Sequence, residues 1–319
     1  MRAFIFPGQG SQAVGMGRTL SDASPTARAV FQEVDDALGQ HLSRVMWDGP
    51  ADDLTLTENA QPAIMANAIA TLRVLQQEGG VRLADKADYV AGHSLGEYSA
   101  LCAAEALDLA TTARLLKLRG RAMQAAVPVG EGAMAALLGA DVEKAGVIAG
   151  AAVDSILAEG GTELVCTVAN DNDPSQVVIS GHRQAVERAV ALAKEMGAKR
   201  AVLLPVSAPF HCALMTDAAT AMEAALAEAD LRAPLVPVFA NVDAAAVADP
   251  GAIRRLLVEQ VTGRVRWRES VLAMAEAGVS EFVEFGGKVL GPMVKRIVPD
   301  ATVSSVVTMD DVEALTKTL

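Results

Sequence analysis

The segment Gly92-His93-Ser94-Leu95-Gly96 constrains the fold of this chain more than any other stretch. An apolar run ending at Ala91 precedes it, and a run rich in Ala and Leu follows it, so the segment joins a buried strand to a helix. Glycine on both sides of the serine allows a turn sharp enough to expose the hydroxyl at the helix N-terminus. The pattern predicts that Ser94 is a nucleophile; a serine that only caps the helix is the alternative.

Short Val-, Ile- and Leu-rich strands alternate with Ala-rich helices over most of the 319 residues, which predicts an α/β fold with a mostly parallel sheet. Between residues 128 and 206 the order becomes β-α-β-β-α-β, which is typical of a ferredoxin-like sheet. We therefore expect a large α/β-hydrolase-like catalytic domain formed by residues 1–127 and 207–319. Residues 128–206 are predicted to be an inserted ferredoxin-like subdomain, and the cleft between the two is the expected substrate site.

Proline, glycine and Asx residues give three local predictions. The segment 170–174, with the sequence Asn-Asp-Asn-Asp-Pro, is predicted to be a loop between two strands of the insert. A helix is expected to begin near Ala63, directly after Gln61-Pro62. Gly291-Pro292 is expected to interrupt the helix that follows Lys288.

A nucleophilic serine needs a base of near-neutral pKa, and the chain has four histidines. His41 lies in a mixed helical segment, and His182 opens a helix of the insert, where capping explains it. His93 is adjacent to the serine, and neighbouring side chains diverge on a sharp turn, so His93 is expected to brace the turn. His211 lies in an irregular loop at the junction of the two domains and is the predicted base. The adjacent Cys212 is expected to pack rather than react.

Arg119, Gln61 and Gln9 are candidate pocket residues. Arg119 lies on an otherwise apolar stripe of the helix predicted over residues 108–126, so its side chain either snorkels to water or meets a carboxylate. The pattern leaves both possibilities open. Gln61 is either a polar pocket residue or part of the entry to the next helix. Gln9 lies in a glycine-rich loop after the first strand, where main-chain N–H groups can approach a reacting oxygen.

The same loop also satisfies a loose dinucleotide fingerprint, because Gly8, Gly10 and Ala13 have G-x-G-x-x-A spacing. That fingerprint requires an acidic residue at the end of a second strand. The acidic residues Asp35 and Asp36 lie in a helical run instead. Nucleotide binding is therefore disfavoured.

Composition argues against several classes of function. The formal net charge of -12 disfavours binding to nucleic acid or to an anionic membrane. No apolar run is long enough to cross a bilayer, and Pro7-Gly8 follows the first apolar residues too early for a signal peptide. The three cysteines show no CxxC spacing, so we expect reduced thiols, a cytoplasmic location and no metal site.

Five motifs, spread in order over essentially the whole chain, resemble those of the malonyl-CoA:acyl carrier protein transacylases of type II fatty acid synthesis. The motifs are Phe6-Pro7-Gly8-Gln9-Gly10-Ser11-Gln12, Gly92-His93-Ser94-Leu95-Gly96-Glu97-Tyr98, Leu118-Arg119-Gly120, Pro209-Phe210-His211-Cys212-Ala213-Leu214-Met215 and Val258-Glu259-Gln260. One departure is the turn in residues 284–290, which is one residue shorter than the family pattern. It changes the expected shape of a loop but not the chemistry.

The resemblance implies a ping-pong transfer. Ser94 would take the malonyl group from malonyl-CoA as an ester and pass it to the phosphopantetheine thiol of acyl carrier protein. His211 would act as general base and acid, with its ring held by a main-chain carbonyl near Gln260 instead of by an aspartate. The backbone N–H groups of Gln9 and Leu95 would form the oxyanion hole.

The resemblance also implies what the pocket selects. Arg119 would hold the free malonyl carboxylate in a bidentate pair, which decides between the alternatives left open above. Phe210 is expected to border the acyl pocket and to exclude an α-methyl group; the alternative is that its ring only packs in the core. Malonyl-CoA is then the substrate, acyl carrier protein the partner, and no cofactor is implied. We expect a monomer.

Carrier proteins of this pathway are acidic, as this chain is, so we expect a local basic rim around the cleft. The candidates are Lys194, Lys199, Arg200, Arg264, Arg266 and Arg268. Solvated helix faces are the alternative explanation for these charges.

Two other functions share part of this chemistry. A stand-alone acyltransferase of a polyketide synthase would use the same mechanism on a different carrier protein. A serine esterase or thioesterase would share the turn around Ser94. However, α/β-hydrolases place their histidine near the C-terminus after an aspartate, and Arg119 would then have no role.

Overall fold

The computed structural model describes residues 1–162 and 164–319. These residues form ten strands: β1 (Arg2–Phe6), β2 (Tyr89–Gly92), β3 (Gly132–Leu138), β4 (Cys166–Asp173), β5 (Gln176–His182), β6 (Arg200–Leu203), β7 (Val238–Ala240), β8 (Ala245–Val247), β9 (Glu281–Phe285) and β10 (Thr302–Val306).

The same residues form fifteen α-helices and a short 3-10 turn at Ala213–Met215. The helices are α1 (Arg18–Ala23), α2 (Pro25–Leu38), α3 (Leu42–Asp48), α4 (Ala51–Thr55), α5 (Thr57–Gln77), α6 (Leu83–Lys86), α7 (Leu95–Ala103), α8 (Leu109–Ala125), α9 (Val142–Ala158), α10 (Arg183–Ala193), α11 (Thr216–Glu228), α12 (Pro250–Thr262), α13 (Trp267–Glu276), α14 (Leu290–Ile297) and α15 (Met309–Thr316). Among the described residues, no helix is both long and apolar enough to cross a membrane.

The larger sheet has the strand order β10-β9-β1-β2-β7-β8, and all its pairs are parallel except β7 with β8. Alternate residues of β1 face opposite sides, as a strand requires. Phe4 and Phe6 enter one apolar cluster, and Ala3 and Ile5 enter another. The sheet is therefore covered on both faces, which is the usual state of a parallel sheet and confirms the predicted fold class.

The smaller sheet has the strand order β4-β5-β3-β6 and is antiparallel throughout. Helices α9 and α10 supply the apolar residues that cover it, and these form a cluster separate from the two clusters of the larger sheet. This strand order is that of a ferredoxin-like sheet, as the order of the elements along the chain predicted.

The predicted loop over residues 170–174 is wrong, because β4 continues to Asp173. The main chain of this extension pairs with Val265, whose N–H donates to Ala169 and whose carbonyl accepts from Asp171. Two buried carboxylates find ion-pair partners outside the insert, Asp171 with Arg268 and Asp173 with Arg296. Tertiary partners thus override the turn preference of Asn and Asp.

Helix α5 begins at Thr57, six residues before the predicted start at Ala63, and contains Gln61 and Pro62. Pro62 is the sixth residue of α5, so the helix lacks one intrahelical hydrogen bond, the one that an N–H at position 62 would donate to the carbonyl of Glu58. The early start also depends on Gly120 of α8, because a Cβ there would lie 2.5 Å from the Cα of Glu58. The two helices therefore approach closely enough for Gln61 to face α8.

The prediction that Gly291-Pro292 interrupts a helix is also wrong. Both residues lie in the first turn of α14, where backbone N–H groups have no intrahelical acceptor. The buried carboxylate of Glu284 accepts from three of the N–H groups at this end, those of Val289, Leu290 and Gly291. The short turn therefore ends in a capped helix.

Candidate active site

Ser94 occupies the sharp turn between β2 and α7. Its backbone angles, φ 54° and ψ -112°, are rarely adopted by residues other than glycine. A Cβ on Gly92 would lie 1.9 Å from the main chain of Gly96, and a Cβ on Gly96 would lie 2.2 Å from the carbonyl oxygen of Phe6. Backbone atoms cannot give way at those distances. Both glycines are therefore required by close packing, as expected for a turn that presents a nucleophile.

The Ser94 hydroxyl oxygen lies 2.8 Å from Nε2 of His211, the histidine predicted to be the base. The other ring nitrogen, Nδ1, lies 2.8 Å from the main-chain carbonyl oxygen of Gln260. Since a carbonyl only accepts, Nδ1 carries the proton and Nε2 is free to accept from the serine. Burial, and secondly the charge of Arg119, lowers the pKa of His211 to about 3, so the ring is neutral at physiological pH.

Arg119 is 1% exposed, and within residues 1–162 and 164–319 it makes hydrogen bonds only to neutral oxygens. Its Nη1 donates to Oε1 of Gln61 at 2.8 Å, and its Nη2 donates to Oε1 of Gln260 at 2.9 Å. Nη2 also lies 3.2 Å from the hydroxyl oxygen of Ser94.

The position of Arg119 on its helix predicted that the side chain either reaches water or pairs with a carboxylate. Among the residues that the structure describes, it does neither. The side chain does not reach solvent, and no ion pair joins it to a carboxylate in residues 1–162 and 164–319. Its Nε also lacks a hydrogen-bond partner among these residues. A buried cation with spare donors next to a nucleophile can bind an anionic group of a substrate.

Gln9 and Leu95 lie at equivalent places beyond the ends of two neighbouring strands. Strands β1 and β2 are paired up to Phe6 and Gly92, and each of the two residues comes three positions later. Leu95 is the first residue of α7, so its N–H has no intrahelical acceptor. The loop that carries Gln9 packs tightly against the turn, since a Cβ on Gly8 would lie 2.7 Å from the carbonyl oxygen of the residue before the serine.

Asn241 and Glu97 hold the turn in place, and sequence reasoning missed both. Asn241 Oδ1 accepts from the N–H of Ser94 at 2.7 Å, while its Nδ2 donates to the carbonyl of Gly92 at 2.7 Å. Oε2 of Glu97 accepts from the N–H of Asn241 at 3.0 Å and from Nε2 of Gln260 at 2.8 Å. A glutamate inside an apolar helical run was the available signal for Glu97.

Burial raises the pKa of Glu97 to about 7. The hydrogen bonds from Asn241 and Gln260 and the charge of Arg119 act in the opposite direction and favour the carboxylate. Glu97 is therefore ionised above neutral pH, in the same buried region as Arg119.

His93 joins the turn to strand β4 and to helix α13. Its Nε2 lies 2.8 Å from Oδ1 of Asn172 on β4, and its ring centroid lies 5.9 Å from that of Trp267. The predicted bracing role fits this position. Asn172 could not be identified from the sequence, because the segment that contains it resembles a loop.

Three residues that the sequence analysis excluded as base or nucleophile make their contacts with groups other than Ser94. His41 is exposed, and His182 is the N-cap residue of α10 without capping it, since its Nδ1 accepts from the N–H of Val165. Capping was therefore the wrong explanation for His182. Cys212 is buried with its Sγ 3.1 Å from the carbonyl oxygen of Pro209, and burial raises its pKa, as expected for a packing residue.

Phe210 is 7% exposed and belongs to the large apolar cluster of the main sheet. This position is the one described by the alternative reading, in which the ring packs in the core beside His211. A role in excluding an α-methyl group stays a prediction.

Half of the predicted basic rim already has acidic partners. Arg264 and Arg266 form ion pairs with Glu269, and Arg268 forms one with Asp171. The other three basic residues are exposed: Lys194, Lys199 and Arg200. A role in docking an acidic protein therefore fits the exposed residues Lys194, Lys199 and Arg200 better than the three paired arginines.

Comparison with known proteins gives a consistent set of relatives. A model of the acyl transferase domain family matches residues 3–288. The chain is 45% identical over 304 residues to the malonyl CoA-acyl carrier protein transacylase of Escherichia coli K12, covering 95% of this chain and 94% of that protein.

Two solved structures share the fold over nearly the full length. The acyl-carrier-protein S-malonyltransferase of Bartonella henselae is 52% identical, with a TM-score of 0.94 over 99% of this chain and 98% of that one. A malonyl-transacylase in complex with its type II polyketide synthase acyl-carrier protein is 38% identical, with a TM-score of 0.93 over 100% and 99% of the two chains.

Proposed function

The chain belongs to the acyl transferase domain family and, within it, to the malonyl-CoA:acyl carrier protein transacylases, and on that premise we propose how its site performs the transfer. The protein moves the malonyl group from malonyl-CoA to the phosphopantetheine thiol of acyl carrier protein, in support of fatty acid synthesis. One observation carries the proposal: Nη2 of the buried Arg119, whose hydrogen-bond partners among the described residues are all neutral, lies 3.2 Å from the hydroxyl oxygen of Ser94.

In the first half-reaction, the Ser94 oxygen attacks the thioester carbonyl of malonyl-CoA while its proton passes to Nε2 of His211. The carbonyl of Gln260 holds the Nδ1 proton and stabilises the imidazolium that forms. The tetrahedral oxyanion is stabilised by the N–H groups of Gln9 and Leu95. The CoA thiolate then leaves with the proton from His211, and a malonyl ester remains on Ser94.

The second half-reaction runs the same steps in reverse with a different thiol. The phosphopantetheine thiol of the carrier protein gives its proton to His211 and attacks the ester carbonyl. The Ser94 oxygen leaves as the acyl group passes to sulfur, and the proton on His211 returns to it. Neither half-reaction oxidises or reduces any group, so the transfer itself requires no redox cofactor.

Arg119 supplies the selectivity. A malonyl group carries a second carboxylate, and a guanidinium is suited to binding it through two parallel hydrogen bonds. Gln61 and Gln260 hold the guanidinium through neutral oxygens, so the incoming carboxylate has no resident anion to displace. An acetyl group has no carboxylate to bind there, so the site favours malonyl.

The domain division at residues 127/128 and 206/207 leaves the cleft open to both acyl donors and acceptors. The exposed group Lys194, Lys199 and Arg200 attracts an acidic carrier protein, and Phe210 limits substitution at the α-carbon. Three free, buried cysteines are typical of a protein in the reducing cytoplasm, where we place it as a monomer.

Service to a polyketide synthase is the second candidate, and the similarity to a transacylase solved with a polyketide carrier protein favours considering it. The chemistry is the same in both cases, and only the surface of the acceptor differs. Discharge of the malonyl-enzyme by a fatty acid carrier protein and by a polyketide carrier protein, at equal concentrations, separates the two. We expect the fatty acid carrier protein to be the faster acceptor.

The main experiment separates the two half-reactions. The enzyme is incubated with malonyl-CoA alone, freed of CoA by gel filtration, and then mixed with the carrier protein carrying phosphopantetheine. We expect one malonyl group per enzyme before mixing and its movement to the carrier protein afterwards. A carrier protein without phosphopantetheine is the control. Release of free malonate in place of transfer would indicate a thioesterase and contradict the proposal.

A further inference from the structure

The charge of Arg119 poses a physical problem that the transfer reaction does not explain. An unpaired buried guanidinium is costly, yet the described residues provide no carboxylate in contact with it. A carboxylate in contact would solve the energetic problem, but it would also occupy the donors that a substrate carboxylate needs. The site therefore needs a negative charge that is near but not touching.

Glu97 meets this requirement through one amide. Nε2 of Gln260 donates to Oε2 of Glu97 at 2.8 Å, and Oε1 of the same amide accepts from Nη2 of Arg119 at 2.9 Å. All three side chains are at most 1% exposed. An amide that donates to an anion and accepts from a cation is polarised by both, and each of its hydrogen bonds is strengthened.

We propose that Glu97 is the counter-charge of Arg119, held one glutamine away so that the guanidinium stays charged while its remaining donors stay free for the carboxylate of the acyl group. This role deepens the proposed function and rests on it for the identity of the ligand. Glu97 touches no reacting atom, so it is a positioning residue. Its hydrogen bond from the N–H of Asn241 fixes the carboxylate that performs this role.

A double-mutant cycle tests the charge relation without any substrate. The variants are Glu97→Gln, which keeps an acceptor oxygen but removes the charge, Arg119→Met, and the combination of the two. Unfolding by urea is measured at about pH 8.5, above the value of about 7 to which burial raises the pKa of Glu97. Besides Arg119, the charge that acts on Glu97 is that of Asp243, which opposes ionisation and is unchanged in all variants.

Each single variant leaves one buried charge without its opposite, whereas the double variant leaves neither. We therefore expect the double variant to be more stable than the sum of the single effects predicts. The expected coupling is at least tenfold in the unfolding equilibrium constant, about 1.4 kcal/mol. Additive effects would overturn the proposal whatever reaction the enzyme catalyses.

Asp35 provides a matched control. Its buried carboxylate also accepts from one backbone N–H and one side chain, both of Ser43, and these groups lie outside the site. Asp35→Asn combined with Arg119→Met is expected to be additive. A coupling equal to that of the Glu97 cycle would show that the effect is not specific to this pair and would overturn the proposal.

A second measurement does not depend on whether the Arg119→Met variant folds. Binding of free malonate to wild type and to Glu97→Gln is compared by calorimetry. Removal of the remote negative charge should tighten malonate binding several-fold and change KM for acetyl-CoA by a smaller factor. If malonate affinity and KM for acetyl-CoA change by the same factor, Glu97 acts only through packing, and the proposal is wrong. If malonate binds neither protein but the stability cycle shows coupling, the counter-charge holds and the assigned ligand of Arg119 is wrong.

Discussion

The turn around Ser94 and the four-stranded sheet of β3 to β6 are held in place by different physical means. Around Ser94, backbone atoms of β1, β2 and α7 approach so closely that Gly92 and Gly96 leave no space for a Cβ. Among the described residues, β4 reaches this turn through one side-chain hydrogen bond, which Nε2 of His93 donates to Oδ1 of Asn172. Close packing of backbone tolerates no change, whereas a single hydrogen bond can be lost at moderate cost. Substitutions should therefore have severe effects at the turn and graded effects at the insert.

The largest effect is expected from Ser94→Ala. Loss of the nucleophile in a catalytic unit of this kind lowers turnover by about 10⁶-fold. The melting temperature should change little, since only a hydroxyl is removed. Malonyl transfer to the carrier protein is the measurement. Transfer at the wild-type rate by this variant is incompatible with an ester on Ser94.

Gly96→Ala should show that the turn is fixed by packing. The added Cβ would meet the carbonyl oxygen of Phe6 at 2.2 Å, and main chain on both sides must shift. Overpacking of this kind costs about 1–3 kcal/mol or more, and the displaced serine should lose most of its activity. Gly150→Ala is the matched control, because a Cβ there meets nothing within 4 Å. Equal stability and activity of the two variants would refute the packing argument.

Asn172→Ala should show the milder behaviour of the insert. The bond to His93 is a neutral side-chain hydrogen bond, and such bonds contribute about 0.5–1.5 kcal/mol. We expect a loss of acylation rate of roughly tenfold or less. Thr167→Ala, at an exposed position of the same strand, is the control and should have no effect. A loss as severe as that of Gly96→Ala would erase the distinction between the two regions.

The smallest change is expected from pH. Because burial and the charge of Arg119 lower the pKa of His211 to about 3, its ring should not titrate between pH 5 and pH 8. The unfolded chain takes up this proton near pH 6.5, so His211 makes the fold less stable as pH falls from about 6.5 toward 3. Proton NMR of the imidazole, assigned by comparison with His211→Gln, measures this. A titration near pH 6.5 would contradict the buried, neutral base.

The turn was predictable because its determinants are adjacent in sequence. A strand, Gly-x-Ser-x-Gly and a helix lie within a single short segment, and the loop of His211 is marked by a proline. The same is true of the sheet types, because the order of strands and helices along the chain predicts a mostly parallel sheet and a separate ferredoxin-like sheet. Local patterns of this kind survive folding with little change.

The groups that surround Arg119 were not predictable, because they come from distant parts of the chain. Its acceptors Gln61 and Gln260 are separated from it by 58 and 141 residues. Whether a helix position meets water, a carboxylate or two amides depends on which helices pack against it. The extension of β4 was missed for the same reason, since its Asn and Asp residues are held by partners outside the insert.

The central claim is that Ser94 and Arg119 together choose the acyl group. Wild type and Arg119→Met are each exposed briefly to equal concentrations of malonyl-CoA and acetyl-CoA, and the peptide that contains Ser94 is analysed by mass spectrometry. A charged hydrogen bond contributes about 1.5–3 kcal/mol, so the preference for malonyl should fall roughly 10- to 150-fold in the variant. We expect a malonyl ester on Ser94 in wild type and a larger share of acetyl ester on Ser94 in Arg119→Met. An unchanged malonyl-to-acetyl ratio, or an acyl group on another residue, would contradict it.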